Sequence, residues 1–371
     1  MFLQPTSEHE QRQLLLFQIS LILASVLLWI FAGRDSLLNS DDVLYAQMAR
    51  ESWENGSFID HSWMGVTLFE KPPLLLWLLQ LSGGVAGFSD AAMRFPAAVG
   101  AAVTLVYTFK LTRVVISGGD TQWRWPWLAA VTLGASWTFF EAGSRVMTDT
   151  LLSASAVAMC YYALRIDQLP ERKWSTRLGL AAGLGFMAKS FALGPAVLAV
   201  SAYLVWRKRV KALFLSIAVA AVIALPWHLF MTFRHGAEFW EVYVGYHVVG
   251  RAEGLAVAQH DVSYYFMELL GSDPLVVTVL LFGFVTSAVS GLKNGFNKTL
   301  LPFAVTTLSL IVVHASQTKL LHYVVPTIPF LVVLTIAMVS RISHVGLATQ
   351  ISIVGLGLTV TNQLQAGIAT F

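Results

Sequence analysis

The polar segment 41–73 gathers residue types that could do chemistry. It opens with the adjacent carboxylates Asp41 and Asp42 and closes with Glu70 and Lys71, just before two prolines. Adjacent carboxylates can cap a helix and complement its dipole, or one of them can act as a general base or bind a metal or phosphate. The Glu-Lys pair precedes a helix start that favours an anion such as phosphate, although an interfacial anchor would also place a lysine there.

Three further candidates lie between apolar runs. Arg145 and Asp149 are four residues apart, so Asp149 could cap the next helix and pair with Arg145. At membrane depth, an Asp and an Arg also indicate a functional site. Lys189 stands alone between two short apolar segments, where it could extend to the lipid headgroups or bind an anionic ligand.

Two later groups lie near apolar helices. Tyr243, His247 and Arg251 recur every four residues and would share one face of a helix. Histidine is a common metal ligand, but one histidine alone is no metal motif. Lys319 and Tyr323 lie at the start of a late apolar helix, where such residues are ordinary interfacial anchors.

The composition predicts a membrane protein. The chain has 371 residues, of which 56% are hydrophobic and 12% are charged. Soluble domains carry about 25% charged residues, and a membrane span needs about 20 mainly apolar residues. We predict a single transmembrane domain over residues 1–371, with no soluble C-terminal domain. The chain has no nucleic-acid motif, and its single cysteine excludes a disulfide framework.

The apolar runs predict an all-α polytopic fold with about eleven transmembrane helices. Basic loops are expected on the cytoplasmic side, which also places the N-terminus there. This topology requires that segment 72–88 lie in the membrane interface rather than cross, and it gives two large outer loops, 33–90 and 232–273. The predicted helices are 14–32, 91–112, 126–140, 150–165, 178–188, 191–206, 211–233, 274–291, 300–314, 320–340 and 344–361.

The charges divide between the two faces of this topology. Most carboxylates and histidines fall on the outer face, together with a few lysines and arginines. The positive-inside rule explains the cytoplasmic cations but not the outer carboxylates, since Asp and Glu contribute little to topology. An outer face of this composition predicts a site that handles a lipid phosphate. Asp60 and His61, in the middle of the first outer loop, have no predicted role.

Several motifs resemble those of lipid-dependent glycosyltransferases of the GT-C superfamily, in the branch of lipid A aminoarabinose transferases and protein O-mannosyltransferases. The motifs occur in the family's order over about residues 30–340: DDVLYAQMARES, FEKPPLLLWL, RVMTDTL, AGLGFMAKSFALGP, EFWEVYVGYHVVGRA and ASQTKLLHYVVPTIPFLVVL. Two departures from the family pattern, Asp42 for Glu and Ser190 for Gly, leave the substrate class open.

The resemblance implies roles for individual residues. Asp41 matches the catalytic carboxylate, with Asp42 and Asp149 as further acidic residues of the site. Glu70 and His247 match positions that imply a divalent metal of unknown identity. The residues expected to bind the donor phosphate are Lys71, Arg251, Lys189, Arg145, Lys319 and Tyr323.

We therefore expect a membrane glycosyltransferase of the bacterial inner membrane, with its active site on the periplasmic face. It would transfer a sugar, with inversion, from a polyprenyl-phosphate donor to a hydroxyl or phosphate acceptor on lipid A, a glycan, a glycolipid or a protein. Asp41 would be the base. One alternative is a transporter or lipid flippase, although transporters place ionisable residues near the midplane. A non-catalytic membrane scaffold is the other.

Overall fold

The computed structural model describes residues 40–116, 124–250, 260–295 and 297–341, together with Ile19, Leu23, Ser25, Val26, Trp29 and Glu253. These ranges are helical apart from connecting turns and one hairpin of two-residue strands, so the predicted all-α class is confirmed. Within the described ranges, six helical stretches are long and apolar enough to cross a membrane: Asp90–Ile116, Arg172–Trp206, Val210–His235, Pro274–Asn294, Asn297–Ala315 and Leu321–Val339.

The first outer loop contains two helices and the hairpin. Helix α1 spans Ser40–Glu54 and α2 spans Leu74–Ala86; the hairpin joins β1 (Ser62–Trp63) to β2 (Val66–Thr67). Its two loop residues both have positive φ, as a tight hairpin turn of this length requires. With 13 residues, α2 is shorter than the roughly 20 needed to cross the hydrocarbon, which agrees with the predicted interfacial helix.

The remaining helices follow without further strands in the described ranges. They are α3 (Asp90–Ile116), α4 (Arg124–Gly134), α5 (Trp137–Ser144), α6 (Asp149–Gln168), α7 (Arg172–Lys189), α8 (Gly194–Trp206), α9 (Val210–His235), α10 (Ala237–Trp240), α11 (Tyr264–Ser272), α12 (Pro274–Val279), α13 (Val285–Asn294), α14 (Leu300–Ala315) and α15 (Ile328–Val339). The segment Glu241–Gly250 is a π-helix that continues α10.

Two differences from the predicted helices have local causes. The predicted helix 126–140 is broken between α4 and α5, where Ser136 caps α5 and donates a hydrogen bond of 2.7 Å to the buried Asp273. The predicted pair 178–188 and 191–206 corresponds to α7 and α8, which a 3₁₀ turn at Ser190–Leu193 joins.

The number of spans is not settled by the described ranges. The predicted helix 14–32 lies largely outside the described residues, and 344–361 lies wholly outside them. Within the described part, α6 has 20 residues, enough to cross, but it is not among the six candidate spans. The total of about eleven helices therefore stays a prediction.

Close helix contacts set the positions of α6 and α7. A Cβ on Gly100 of α3 would lie 2.9 Å from the backbone nitrogen of Leu151, so only glycine lets α3 approach the start of α6. Gly179 and Gly183 of α7 similarly admit α9, a small-residue spacing that brings membrane helices together. Gly185 of α7 likewise admits Ser155 of α6, whose Cβ would lie 2.6 Å from an added Cβ, so α6 and α7 also pack closely.

Candidate active site

A cavity of about 450 Å³ opens where α6, α7, α14 and the π-helix converge. Its wall includes six of the predicted site residues, which come from five separate parts of the chain: Glu70, Lys71, Asp149, Lys189, His247 and Tyr323. The same wall also contains apolar residues, among them Leu152, Phe191, Val312 and Val313. The cavity thus combines charged groups with a surface that can contact a hydrocarbon chain.

Asp149 and Lys189 form a buried ion pair on this wall. Lys189 Nζ lies 2.6 Å from Asp149 Oδ1, and the two side chains are 13% and 2% exposed, respectively. Asp149 is the first residue of α6 and Lys189 is the last of α7, so the ion pair links the ends of these two helices. The ammonium of Lys189 also lies 5.1 Å from the ring centre of Tyr323. Lys189 is therefore held inside the protein rather than extended to the headgroups.

Glu70 and Lys71 reach the cavity from the first outer loop. They follow the hairpin and precede α2 by two prolines, as the sequence predicts. Lys71 donates a hydrogen bond to the hydroxyl of Tyr45 and lies 4.4 Å from the centre of its ring. Lys71 and Asp149 are also within electrostatic reach of each other. A second cation is therefore directed into the same cavity from a different segment.

His247 faces the cavity from the π-helix, one turn after Tyr243. Glu70 and His247 offer one carboxylate and one imidazole, a donor set that suits ions such as Zn²⁺. Within the described ranges, no group of three or more His, Cys, Asp or Glu residues could hold a metal. The residues therefore fit a metal only if oxygens of a bound phosphate complete its coordination, as they do in many magnesium sites.

Asp42 has different surroundings, although it was predicted beside Asp41 as a site residue. It is buried, accepts a 3.0 Å hydrogen bond from the Val146 N–H and lies 3.5 Å from Arg145. Burial raises the pKa of Asp42, while the Val146 N–H and Arg145 act in the opposite direction. The prediction that Arg145 pairs with Asp149 is wrong, because α5 ends so that Arg145 reaches Asp42 and, at 2.9 Å, Glu141.

The other predicted residues that the structure describes, Asp41, Asp42, Arg145 and Lys319, are not among the residues that line the cavity. Asp41 is half-buried and, with Lys71 and Asp149, lies within electrostatic reach of His322. Lys319 is buried and donates a 2.6 Å hydrogen bond to the backbone oxygen of Ser316. Arg145 and Asp42 contact each other instead, and Arg251 lies outside the described residues. Asp41 is thus near the cavity without being one of its described lining residues.

Sequence reasoning missed a chain of polar residues behind the cavity wall. Ser190, which lines the cavity, lies 2.6 Å from the hydroxyl of Tyr243, and that hydroxyl lies 2.8 Å from His228 Nε2. Ser190 appeared only as a departure from a glycine motif, and Tyr243 only as a neighbour of His247. The available signal was His228 itself, a polar residue in an otherwise apolar run.

Comparisons with known proteins agree with this fold and with the motif order. The profile of the dolichyl-phosphate-mannose-protein mannosyltransferase family matches residues 70–231. The undecaprenyl phosphate-alpha-4-amino-4-deoxy-L-arabinose arabinosyl transferase of Edwardsiella ictaluri is 29% identical over 325 residues, covering 83% of this chain and 56% of that protein. The enzyme of that name from Yersinia enterocolitica is 28% identical over 239 residues, covering 62% of this chain and 42% of its own length.

Three solved structures share the fold. ArnT from Cupriavidus metallidurans, bound to undecaprenyl phosphate, superposes with a TM-score of 0.74 at 20% identity, covering 94% of this chain and 64% of that one. The archaeal oligosaccharyltransferase AglB from Archaeoglobus fulgidus, in complex with an inhibitory peptide and a dolichol-phosphate, gives a TM-score of 0.67 at 12% identity, covering 93% of this chain and 55% of that one. An Archaeoglobus fulgidus oligosaccharyltransferase was also crystallised with Zn and sulfate; it gives a TM-score of 0.53 at 13% identity, covering 94% of this chain and 51% of that one.

The fold is a GT-C-like multi-pass membrane fold that resembles those of ArnT and AglB. In sequence, the chain is similar to lipid-dependent glycosyltransferases, with both relatives named above among the aminoarabinose transferases. It spans about half the length of the curated relatives that it matches.

Proposed function

We propose that this chain transfers a sugar from a polyprenyl-phosphate donor to a hydroxyl or phosphate acceptor at the periplasmic face of the bacterial inner membrane. Lipid A, a glycan, a glycolipid or a protein would carry the acceptor group. The observation that carries the proposal is the single cavity that presents Lys71 and Lys189 beside an apolar wall. Such a cavity has the two surfaces that a lipid phosphate needs.

The two lysines would bind and stabilise the departing phosphate. A phosphate is already a good leaving group, so the site needs fixed positive charge rather than a general acid. In the absence of a ligand, Asp149 partly neutralises Lys189 through their 2.6 Å contact. A phosphate in the cavity would share that ammonium with Asp149. In this proposal Arg251 adds a further cation, and Tyr323 orients Lys189 through its ring.

Asp41 would take the proton from the acceptor. Its electrostatic coupling to His322, which Lys71 and Asp149 share, supports a position close to the reacting groups. A base on the side opposite the leaving group would invert the configuration at the sugar carbon. We propose that Asp42 instead holds the loop in place through Val146 and Arg145.

Glu70 and His247 would hold a divalent metal together with phosphate oxygens. When bound, such an ion would add positive charge at the phosphate. Without it, the same two side chains still border the position where the phosphate would lie.

The test compares the lipid and glycoprotein fractions of cells with and without this chain by mass spectrometry. A sugar mass that appears only with the chain would identify both the sugar and its acceptor. Asp41→Asn should abolish this product. Glu54→Gln is the matched control, because Glu54 is an exposed carboxylate on the same helix. Unchanged product with Asp41→Asn at normal expression would refute the role of Asp41, and lipid translocation without any new mass would favour the flippase alternative.

A further inference from the structure

Ser190 has an unusual backbone conformation for a residue with a side chain. Its φ of 47° and ψ of −123° lie in a region that glycine adopts easily and other residues rarely adopt. A non-glycine residue held there is strained, and such strain clusters at functional sites. Ser190 is also buried and lines the cavity directly after Lys189. A strained residue in this position indicates a role for its hydroxyl group at the cavity.

The hydroxyl of Ser190 belongs to a chain of hydrogen bonds whose direction can be deduced. His228 Nδ1 lies 2.7 Å from the backbone oxygen of Ala224, and a carbonyl oxygen only accepts, so Nδ1 carries the hydrogen. In the neutral imidazole Nε2 is then an acceptor, and Tyr243 must donate to it across 2.8 Å. The Tyr243 oxygen has no second hydrogen, so Ser190 donates to Tyr243 across 2.6 Å.

The surrounding packing keeps this direction fixed. Tyr243 is almost fully buried, and its ring stacks on Phe239 with centres 4.8 Å apart. His228 packs against two aromatic rings: its ring centre lies 5.2 Å from that of Phe186 and 4.9 Å from that of Trp227. A histidine buried among aromatic rings is uncharged at neutral pH. With His228 uncharged and its hydrogen on Nδ1, Nε2 has no hydrogen to donate, so the chain cannot run in the reverse direction.

The consequence is that Ser190 offers the cavity only lone pairs. Its single hydrogen is engaged by Tyr243, so its oxygen can accept a hydrogen bond but not donate one. Phosphate oxygens at neutral pH are acceptors and do not match it. A sugar hydroxyl or amine does match, since each carries hydrogens to donate.

We propose that Ser190 is a specificity-determining residue that selects a hydrogen-bond donor, a hydroxyl or an amine, on the sugar of the donor substrate. This inference rests on the proposed function, in which Lys189 binds the phosphate. Because Ser190 is the next residue in the chain, its oxygen is suited to contact the group attached to that phosphate. The hydrogen-bond chain through Tyr243 and His228 makes the Ser190 oxygen an acceptor, so the group that it binds must be a donor.

The test measures the affinity of the full chain in lipid nanodiscs for three probes: undecaprenyl phosphate, undecaprenyl phosphate-α-4-amino-4-deoxy-L-arabinose and undecaprenyl phosphate-mannose. Ser190→Ala should leave the affinity for bare undecaprenyl phosphate within about twofold. It should weaken binding of the preferred glycosylated probe about five- to tenfold, the usual effect of one hydrogen bond.

Tyr243→Phe should raise the affinity for bare undecaprenyl phosphate, which Ser190→Ala should leave nearly unchanged. It removes the acceptor for the Ser190 hydrogen, so the serine hydroxyl can turn towards the cavity and donate to a phosphate oxygen. Binding of bare undecaprenyl phosphate should then strengthen, while the preference for the glycosylated probe falls. A merely structural role for Tyr243 would weaken the binding of all three probes together.

Matched controls come from hydroxyls far from the cavity wall. Ser216→Ala removes a buried serine hydroxyl that bonds the Ser175 oxygen at 2.9 Å, and Tyr203→Phe removes a hydroxyl that bonds Asp167 at 3.1 Å. Both should keep the wild-type affinity for every probe.

The outcomes separate this inference from the proposed function. Failure of the wild-type chain to bind undecaprenyl phosphate would contradict the proposed function itself. If the wild type binds undecaprenyl phosphate but prefers neither glycosylated probe, or if Ser190→Ala keeps the full preference, the role of Ser190 is refuted while the lipid-phosphate site stands.

Discussion

Two groups of titratable residues on the predicted outer face differ in what surrounds them. The loop anchors, Asp42, Asp60 and His61, lie in the packed first outer loop. The cavity cluster, formed mainly by Asp149, Lys189, Lys71, Glu70 and His247, borders open space. Asp42 and Asp149 are both 2% exposed, so burial alone does not distinguish the two groups. The loop anchors lie among packed residues, whereas the cavity cluster has one side open to a ligand.

The loop anchors use their polar atoms to hold segments together. Asp42 accepts from the Val146 backbone, and Asp60 joins the first outer loop to the end of α9 through His235 at 3.0 Å and Arg234 at 3.6 Å. This contact gives Asp60 the structural role that its sequence did not suggest. In the cavity cluster, Asp149 pairs with Lys189 at the border of open space. A ligand in the cavity can compete for that pair, whereas the contacts of Asp42 and Asp60 join packed segments of the chain.

The largest expected effect is the loss of transfer in Asp149→Asn. The change leaves Lys189 without its buried carboxylate, and breaking such a pair costs about 3–5 kcal/mol of folding stability. We expect sugar transfer by the purified, folded chain to fall by roughly 100-fold, the usual effect of disturbing one fixed charge at a reacting phosphate. Asp167→Asn is the control, because Asp167 lies at the other end of α6 and pairs with Arg207. If Asp149→Asn transfers sugar within about threefold of the wild-type rate, the proposed difference between the cavity cluster and the loop anchors is wrong.

The second prediction concerns the pH dependence of stability. Burial lowers the pKa of His61 to about 4 from the ordinary 6.5, so the unfolded chain binds this proton more tightly than the folded protein does. The associated stability is present above pH 6.5 and is lost as the pH falls towards 4, by about 3 kcal/mol in total.

His61→Phe should remove most of this dependence. Chemical denaturation at a series of pH values across this window measures it, with His235→Phe as a comparison from the same loop contact. An unchanged pH profile in His61→Phe would show that His61 is not the titrating anchor.

The third prediction asks whether Asp42 stabilises the fold through its hydrogen bond or through its negative charge. Asp42→Ala removes the acceptor of a buried backbone N–H and should lower the free energy of unfolding by about 2 kcal/mol. Asp42→Asn keeps an acceptor oxygen and should cost less than about 1 kcal/mol, since burial already raises the pKa of this carboxyl and disfavours its charge. Both variants should bind undecaprenyl phosphate as the wild type does. A large loss of binding in either variant would move Asp42 into the cavity cluster.

The smallest effect is expected in the stability of two Ser190 variants. Ser190→Gly loses the hydrogen bond to Tyr243 but relieves the positive φ, whereas Ser190→Ala loses the bond and keeps the strain. Glycine should therefore give the more stable protein by about 1 kcal/mol, after its greater freedom in the unfolded chain is subtracted. Thermal unfolding in one detergent compares the two variants directly. If alanine is equal or better, the conformation of Ser190 is not strained.

Much of the cavity cluster was predictable from residue types, from the predicted topology and from the motif resemblance. Glu70, Lys71, Asp149, Lys189 and His247 were each candidate site residues on the predicted outer face, and all of them line one cavity. Their pairing was not predictable. The i, i+4 spacing favoured a contact between Arg145 and Asp149, yet tertiary packing directs the two side chains to different partners.

By itself, the sequence determined the helical class, the short apolar helix α2 and the residue types available for chemistry, because hydropathy and charge act locally along the chain. Only the tertiary structure decided which carboxylate borders the cavity and which anchors the loop. That choice depends on how closely helices approach, which Gly100 sets for α6 and Gly179 and Gly183 set for α7. The Ser190–Tyr243–His228 chain likewise requires three distant segments to meet within hydrogen-bond distance, and no local pattern encodes such a meeting.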